Sequence, residues 1–226
     1  GERLKQSGHS KPKSLVELES DVVYLGLQIH QFNRYAFTHK FIVGGYAIDC
    51  LEAFLKKFPD YHLLDNVDFE KGNLYSLLTA KPKLNEAFFL FNADHYYSPE
   101  TYAKIFSLKS NSITIFCDQD RKLTDDDMKV AVHEEHFSKM SKQLKQYAHG
   151  YVGVTYVPKN KQQLYWQACI EAERDLGDKA NVEHVVNVLA SQGEQIQICD
   201  ISGSWWLEID PPEDLEKAKK VFAAVA

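Results

Sequence analysis

Residues 70–98 read EKGNLYSLLTAKPKLNEAFFLFNADHYYS, and the reading of this stretch decides the fold. From Ala87 to Ala93 the chain is apolar apart from Asn92. A short apolar run closed by turn-forming residues predicts a strand buried on both faces. Upstream, Leu74, Leu77 and Leu78 repeat at helical spacing between Gly72 and Ala80. Strand and helix alternate here, and in open α/β sheets ligands gather at the carboxyl ends of strands. Asp94 and His95 stand at such an end, where a metal or a phosphate would be met. An aspartate that only caps the following loop is the alternative, and His95 suits a ligand or a cap equally. The backbone N–H groups at Gly72 and Asn73 open the predicted helix and suit an anion or the acceptor edges of a base.

Outward from this stretch the same alternation continues. A helix is predicted over 21–36, and strands at 40–44 and 61–66 enclose a helix over 47–58 that stops before Pro59. Pro99 opens a helix to Leu108, and residues 112–117 form a strand followed by Asp118, Gln119, Asp120 and Arg121. Residues 128–132 and 137–141 read as two short, exposed, antiparallel strands, and Gly150 to Val157 alternates as a strand. Helices follow over 161–176 and 182–190, then strands over 195–201 and 205–210, then a last helix opened by Pro211 and Pro212. Such alternation predicts a parallel sheet with right-handed crossovers. One domain spanning 1–226, with an antiparallel insert at about 122–150, is the simplest division.

Composition narrows the function classes. With 226 residues, 44% hydrophobic and 26% charged, the chain has the make-up of an ordinary globular protein. A net charge of -6 argues against a nucleic-acid binder, which needs a basic face. No apolar run approaches the roughly 18 residues of a membrane span. Cys50, Cys117, Cys169 and Cys199 form no CxxC pair, so free thiols in a reducing, cytoplasmic setting are expected.

Asp94 and Asp210 both fall at predicted strand ends. Two carboxylates drawn from distant segments are the usual protein share of a Mg²⁺ site, which takes its other ligands from water and substrate phosphates. Arg3, Lys13 and Lys142 are the candidate phosphate partners. Lys142 has the alternative of a solvated strand lysine, and Trp205 and Trp206 read as packing residues. No Ser-His-Asp or Cys-His pattern is present.

The order of these pieces resembles the nucleotidyltransferases that activate phosphorylated small molecules. Gly1-Glu2-Arg3-Leu4 looks like the end of their glycine-rich loop, and Pro12-Lys13-Ser14-Leu15-Val16 looks like the segment that follows it. Gly45-Tyr46 looks like the second strand–helix junction, and Glu208-Ile209-Asp210 with Glu213-Asp214-Leu215 like the closing strand and helix. Within the family, residues 72–77 together with Ala93-Asp94-His95-Tyr96-Tyr97-Ser98 are most similar to inositol-1-phosphate cytidylyltransferases. Choline-phosphate and aminoethylphosphonate cytidylyltransferases share a related asparagine-tyrosine-serine-leucine segment. Sugar-phosphate nucleotidyltransferases share the general frame.

The resemblance implies a Rossmann-like, three-layer α/β fold of the GT-A type, with a mixed central sheet and a small antiparallel insert. It implies Mg²⁺-dependent transfer of a cytidylyl group from CTP to a phosphorylated polyol, inositol 1-phosphate first, with pyrophosphate leaving. Arg3 and Lys13 would neutralise the triphosphate and the transition state. Gly1, Gly72, Asn73 and Ser76 would bind the nucleotide, and Asp94, Asp210 and Glu208 the metal. Arg121, Lys142 and Glu183 would face the acceptor. Phosphocholine, aminoethylphosphonate and sugar-phosphate acceptors remain alternatives, as does a nucleotide-binding module without catalysis. Tyr96, Tyr97 and Tyr151 are the residues that could cage a choline. A homodimer is left open. The family's first strand and most of its glycine-rich loop have no counterpart in the sequence from Gly1, so the resemblance implies either residues upstream of it, the favoured alternative, or a chain that cannot catalyse as given; the membrane transferase domain fused to some relatives has no counterpart either.

Overall fold

The computed structural model describes residues 12–19 and 22–208. In chain order the elements are β1 (Glu17–Glu19), β2 (Val22–Val23), α1 (Tyr24–Phe32), β3 (Lys40–Gly44), α2 (Ile48–Leu55), β4 (Tyr61–Asp65), α3 (Leu74–Ala80), β5 (Phe88–Phe91), β6 (His95–Tyr97), α4 (Pro99–Phe106), β7 (Thr114–Asp118), β8 (Lys129–His133), β9 (His136–Ser141), β10 (His149–Val157), α5 (Gln162–Leu176), α6 (Val182–Ser191), β11 (Gln197–Asp200) and β12 (Trp206–Glu208). The chain divides into two compact units. One takes the chain through Asp65, then Ala93–Phe106 and the segment from Trp205; the other takes Asn66–Asn92 and Ser107–Ser204.

In the first unit β3 and β4 pair in parallel, from Lys40 opposite Tyr61 to Gly44 opposite Asp65. A parallel pair needs a crossover, and α2 supplies it. The helix expected over 47–58 is present as α2, and its Leu51 and Leu55 pack with Leu15, Leu25, Ile29 and Tyr61. The helix predicted over 21–36 is shorter than that. Val22–Val23 pairs antiparallel with β1, and the helix begins at Tyr24, whose N–H donates to the Val16 carbonyl. Two adjacent β-branched residues at its start suit the extended state. The same unit carries the antiparallel pair β6–β12, in register from Trp206 opposite Tyr97 to Glu208 opposite His95.

The second unit is built on one mixed sheet of six strands among the described residues, ordered β11-β7-β10-β8-β9 with β5 also on β10. Only β11 and β7 run parallel. The nine-residue β10 organises it. One edge takes β7; the other takes β8 at His149–Gly150 and β5 at Val154–Val157. The register on β7 slips between Tyr151 and Thr155, where Gly153 adopts φ 79, a conformation glycine holds without strain. Its carbonyl accepts from the Asn92 N–H. Buried side chains of β7, β10, α5 and α6 form the core, among them Ile115, Val157, Tyr165, Ala168, Val185 and Leu189, with Ile113 just ahead of β7.

Two expectations are corrected here. The strand at 88–91 is not a doubly buried parallel strand: it runs antiparallel to β10, and only Phe88 is buried. Its hydrophobicity goes into rings, Phe89 packing against Phe116 and Tyr156. The hairpin β8–β9 is not simply exposed. Val130, Phe137 and Met140 are buried, and the Asn187 side chain on α6 donates to the Met140 carbonyl and accepts from its N–H. One amide thus takes up the backbone valences of a strand edge.

Candidate active site

The first unit gathers charged groups at the start of β6. Pro12 is extended, and a single 3-10 turn, Lys13–Leu15, is pinned by the buried Leu15. That anchor turns the Lys13 ammonium inward, to 3.3 Å from Asp94 Oδ2. The other carboxylate oxygen, Asp94 Oδ1, lies 2.8 Å from His95 Nδ1. A carboxylate has no proton to give, so His95 Nδ1–H is the donor. On the far side of the ring, His95 Nε2 stands 3.9 Å from Glu208 Oε2. The register of β6 with β12 places Glu208 directly opposite His95 and so on the same face. Two residues back on that face, Trp206 stacks on the His95 ring at 5.2 Å and 8°.

The His95 backbone is fixed as well. Gln28 on α1, buried, donates its amide Nε2–H to the His95 carbonyl. On the opposite face of β6, Tyr96 accepts from Gln31 Nε2 at 3.3 Å and packs edge-on against Tyr24. Tyr24 is 1% exposed and its hydroxyl has no hydrogen-bond partner among the described residues. Burial first, then the charges of Tyr102, Asp94 and Glu208, hold that phenol well above its usual range. At Asp94 burial alone would raise the carboxyl. The hydrogen bond and charge of His95 and the charge of Lys13 outweigh it and hold the group well below the ordinary carboxylate range. Asp94 is therefore an anion with one oxygen fixed and the other turned to a cation.

Among the described residues no three His, Cys, Asp or Glu side chains are gathered closely enough to hold a metal by themselves. The donors at hand are the hard carboxylate oxygens of Asp94 and Glu208. Gly1, Arg3 and Asp210 lie outside the described residues.

The residues expected to meet the nucleotide base lie in the second unit. Gly72 N–H donates to the Asp178 carbonyl at 2.7 Å, and Asn73 N–H donates to Asn181 Oδ1 at 3.1 Å. Asn73 Oδ1 accepts in return from the Val182 N–H. These N–H groups are thus spent on the turn ahead of α6. A Cβ on Gly72 would lie 2.0 Å from the Ala180 carbonyl oxygen, so only glycine fits. Ser76 Oγ accepts from Asn66 Nδ2 at 3.1 Å, and Asn66 is buried.

The three residues expected to face an acceptor are separately placed in the same unit. Arg121 pairs with Asp127 at 3.1 Å. Lys142 is exposed, and its carbonyl accepts from the buried Lys129 Nζ, which also donates to Thr124 and Asp127 carbonyls. Glu183 is 9% exposed in the first turn of α6. Its charge adds to burial in raising the phenols of Tyr151 and Tyr165. Sequence reasoning reached Lys13, Asp94 and Glu208 but not the Lys13–Asp94 ion pair, which joins residues 81 apart. It also missed Gln28 and the stacking of Trp206; the alternation of Trp206 and Glu208 is the one signal that would have shown them sharing a face.

No family model matches the chain. It is 24% identical over 190 residues to the "Bifunctional IPC transferase and DIPP synthase" of Archaeoglobus fulgidus, covering 82% of this chain and 35% of that protein. The protein of the same description from Aquifex aeolicus is 25% identical over 232 aligned positions, 100% of this chain and 50% of that one. The chain thus spans about a third to a half of the length of these relatives. Among solved structures it matches the inositol-1-phosphate CTP transferase from T. maritima with a TM-score of 0.79 and 22% identity, covering 99% of this chain and 91% of that one. The CTP:phosphocholine cytidylyltransferase of Streptococcus pneumoniae matches with 0.70 and 16%, covering 94% and 90%. A UDP-glucose pyrophosphorylase matches with 0.77 and 12%, covering 100% and 95%. The expected α/β architecture with its mixed sheet is confirmed: the chain has the nucleotidyltransferase fold.

Proposed function

We propose that this chain is a Mg²⁺-dependent cytidylyltransferase, joining CTP and a phosphorylated polyol, inositol 1-phosphate first, into a CDP-alcohol and pyrophosphate. The observation that carries the reading is the array of Lys13, Asp94, His95 and Glu208, an anion fixed on one side and turned to a cation on the other. Asp94 and Glu208, with Asp210, would hold the metal. Hard oxygen donors in small number fit Mg²⁺, which keeps waters and takes phosphate oxygens. When bound, it neutralises charge on the triphosphate and favours in-line attack. An oxygen of the acceptor phosphate attacks the α-phosphorus, the bond to the β-phosphate oxygen breaks, and pyrophosphate carries the electron pair away. Lys13 and Arg3 supply positive charge where that pair develops. Lys13 is already poised as a cation beside Asp94.

Gly72 and Asn73 act by holding the edge of the base site against the turn ahead of α6, with Ser76 beside them. Arg121, Lys142 and Glu183 are assigned to the acceptor. The polyol is favoured over choline by the tyrosines. Tyr96, Tyr97 and Tyr151 are 5%, 0% and 6% exposed, and Tyr151 shares a hydrogen bond with Thr155. Buried rings build no cage for a quaternary ammonium. Free cysteines and the lack, among the described residues, of a helix long and apolar enough to cross a membrane support work in the cytoplasm.

The test is kcat/KM at saturating CTP for inositol 1-phosphate, phosphocholine, aminoethylphosphonate and a hexose 1-phosphate. Inositol 1-phosphate is expected to lead by about tenfold or more, since a site that hydrogen-bonds hydroxyls rejects a ligand lacking them. A lead for phosphocholine would overturn the polyol assignment. Equal rates with UTP in place of CTP would return the sugar-phosphate branch.

A further inference from the structure

We infer that His95 is the positioning residue of the proposed metal site: its Nδ1–H holds Asp94 Oδ1 so that Oδ2 is presented to the cation. The inference rests on the metal-dependent reading given above. Three observations place it in His95 and not in packing at large. The bond to Asp94 Oδ1, at 2.8 Å, occupies one oxygen and leaves the other facing the Lys13 ammonium at 3.3 Å. Asp94 thus meets a cation through a single defined atom. The histidine is itself immobilised: its side chain is 7% exposed, its ring lies flat on Trp206, and its carbonyl accepts from the buried Gln28. Finally, β6 and β12 pair His95 with Glu208, so the ring stands between both described carboxylates of the site, with Nδ1 2.8 Å from Asp94 and Nε2 3.9 Å from Glu208.

The line of support runs from Trp206 through His95 to Asp94. Asp94 follows the end of β5 and precedes β6, in a turn that offers it no helical or strand hydrogen bonding of its own. Without a partner its carboxylate would sample several rotamers and lose entropy on every binding event. Partners of this kind, which orient a ligand without touching the metal, govern affinity by about 10–100-fold in metal sites. At 3.9 Å, Nε2 is beyond hydrogen-bond distance of Glu208, so the orienting bond is the one made by Nδ1.

Two substitutions separate the nitrogen from the ring. His95→Asn keeps a donor close to the Nδ1 position and loses the ring over Trp206. His95→Phe keeps the ring and loses the donor. Mn²⁺ binding to the full chain, read as free Mn²⁺ by electron paramagnetic resonance with and without CTP, measures the site without requiring turnover. Far-UV circular dichroism checks each protein first; should H95F not fold, His95→Gln, whose amide reaches toward Nε2 and away from Asp94, takes its place. H95N is expected to bind Mn²⁺ within about threefold of wild type, and H95F or H95Q about tenfold or more weakly. Asp94→Ala is the control for the site. If D94A loses Mn²⁺ while H95F or H95Q binds as wild type does, the role of His95 is overturned and the metal reading stands. If D94A binds Mn²⁺ as wild type does, the metal reading fails and His95 has nothing to position.

Discussion

The charge of Asp94 is settled before any substrate arrives. Burial opposes that charge; His95 and Lys13 more than offset it, and the carboxyl is held low. A carboxyl whose folded value is depressed contributes stability above its unfolded value, about 3.9, and loses it as pH falls through the folded one. Asp94→Asn is therefore expected to be less stable than wild type near neutrality, with the gap narrowing below about pH 4. Denaturant midpoints across that range check this; a gap independent of pH would mean the charge is not what stabilises. The Lys13 ion pair, a third exposed at the Asp94 end, contributes less than its geometry suggests because water screens it. Asp94→Ala is also expected to lower turnover by about 10²-fold or more with the fold intact, as loss of a transition-state stabiliser does. Lys13 stood out in the sequence as a candidate phosphate partner. Its contact with Asp94 did not, because local periodicity carries no information about a partner so distant in the chain.

At the scale of elements, α6 is fixed by its ends. Asn181 caps it and His184 closes the box by accepting the Asn181 N–H on Nδ1 at 3.0 Å. Burial lowers the His184 pKa, and the accepting nitrogen must be unprotonated. A depressed folded value means stability is present above the unfolded value, about 6.5, and is lost as pH falls below it. His184→Gln should flatten the fall in melting temperature between about pH 7 and 5; an unchanged slope would remove the cap from that role. The junction of α3 with α6 tolerates no side chain at Gly72, where Ala180 backbone is in the way. Gly72→Ala is expected to cost about 1–3 kcal/mol. A variant as stable as wild type in urea would show that the turn can yield. Lys129→Met should cost a similar amount, about 1–3 kcal/mol, by leaving the carbonyls of Thr124, Asp127 and Lys142 without their donor. Helices such as α2 and α5 were legible because a 3.6-residue stripe is local. The placing of β5 was not, because an apolar run does not say whether its neighbour is parallel.

At the scale of the whole molecule, the order of strands and helices was legible in the sequence, and the strand ends pointed to Asp94. Pairing was not: β10 joins β5, β7 and β8, and nothing local in Gly150 to Val157 announces three partners. The acceptor residues were named from the resemblance, and Arg121 turns out to be held by Asp127. The proposed reaction is nucleophilic attack at the α-phosphorus of CTP. The most direct measurement is the fate of label in CTP carrying ³²P at either the α or the γ position, incubated with the full chain, Mg²⁺ and inositol 1-phosphate. Label from the α position is expected in a CDP-inositol product and label from the γ position in pyrophosphate, both lost with Asp94→Ala. Transfer of γ label to the polyol, or its release as orthophosphate, would contradict cytidylyl transfer.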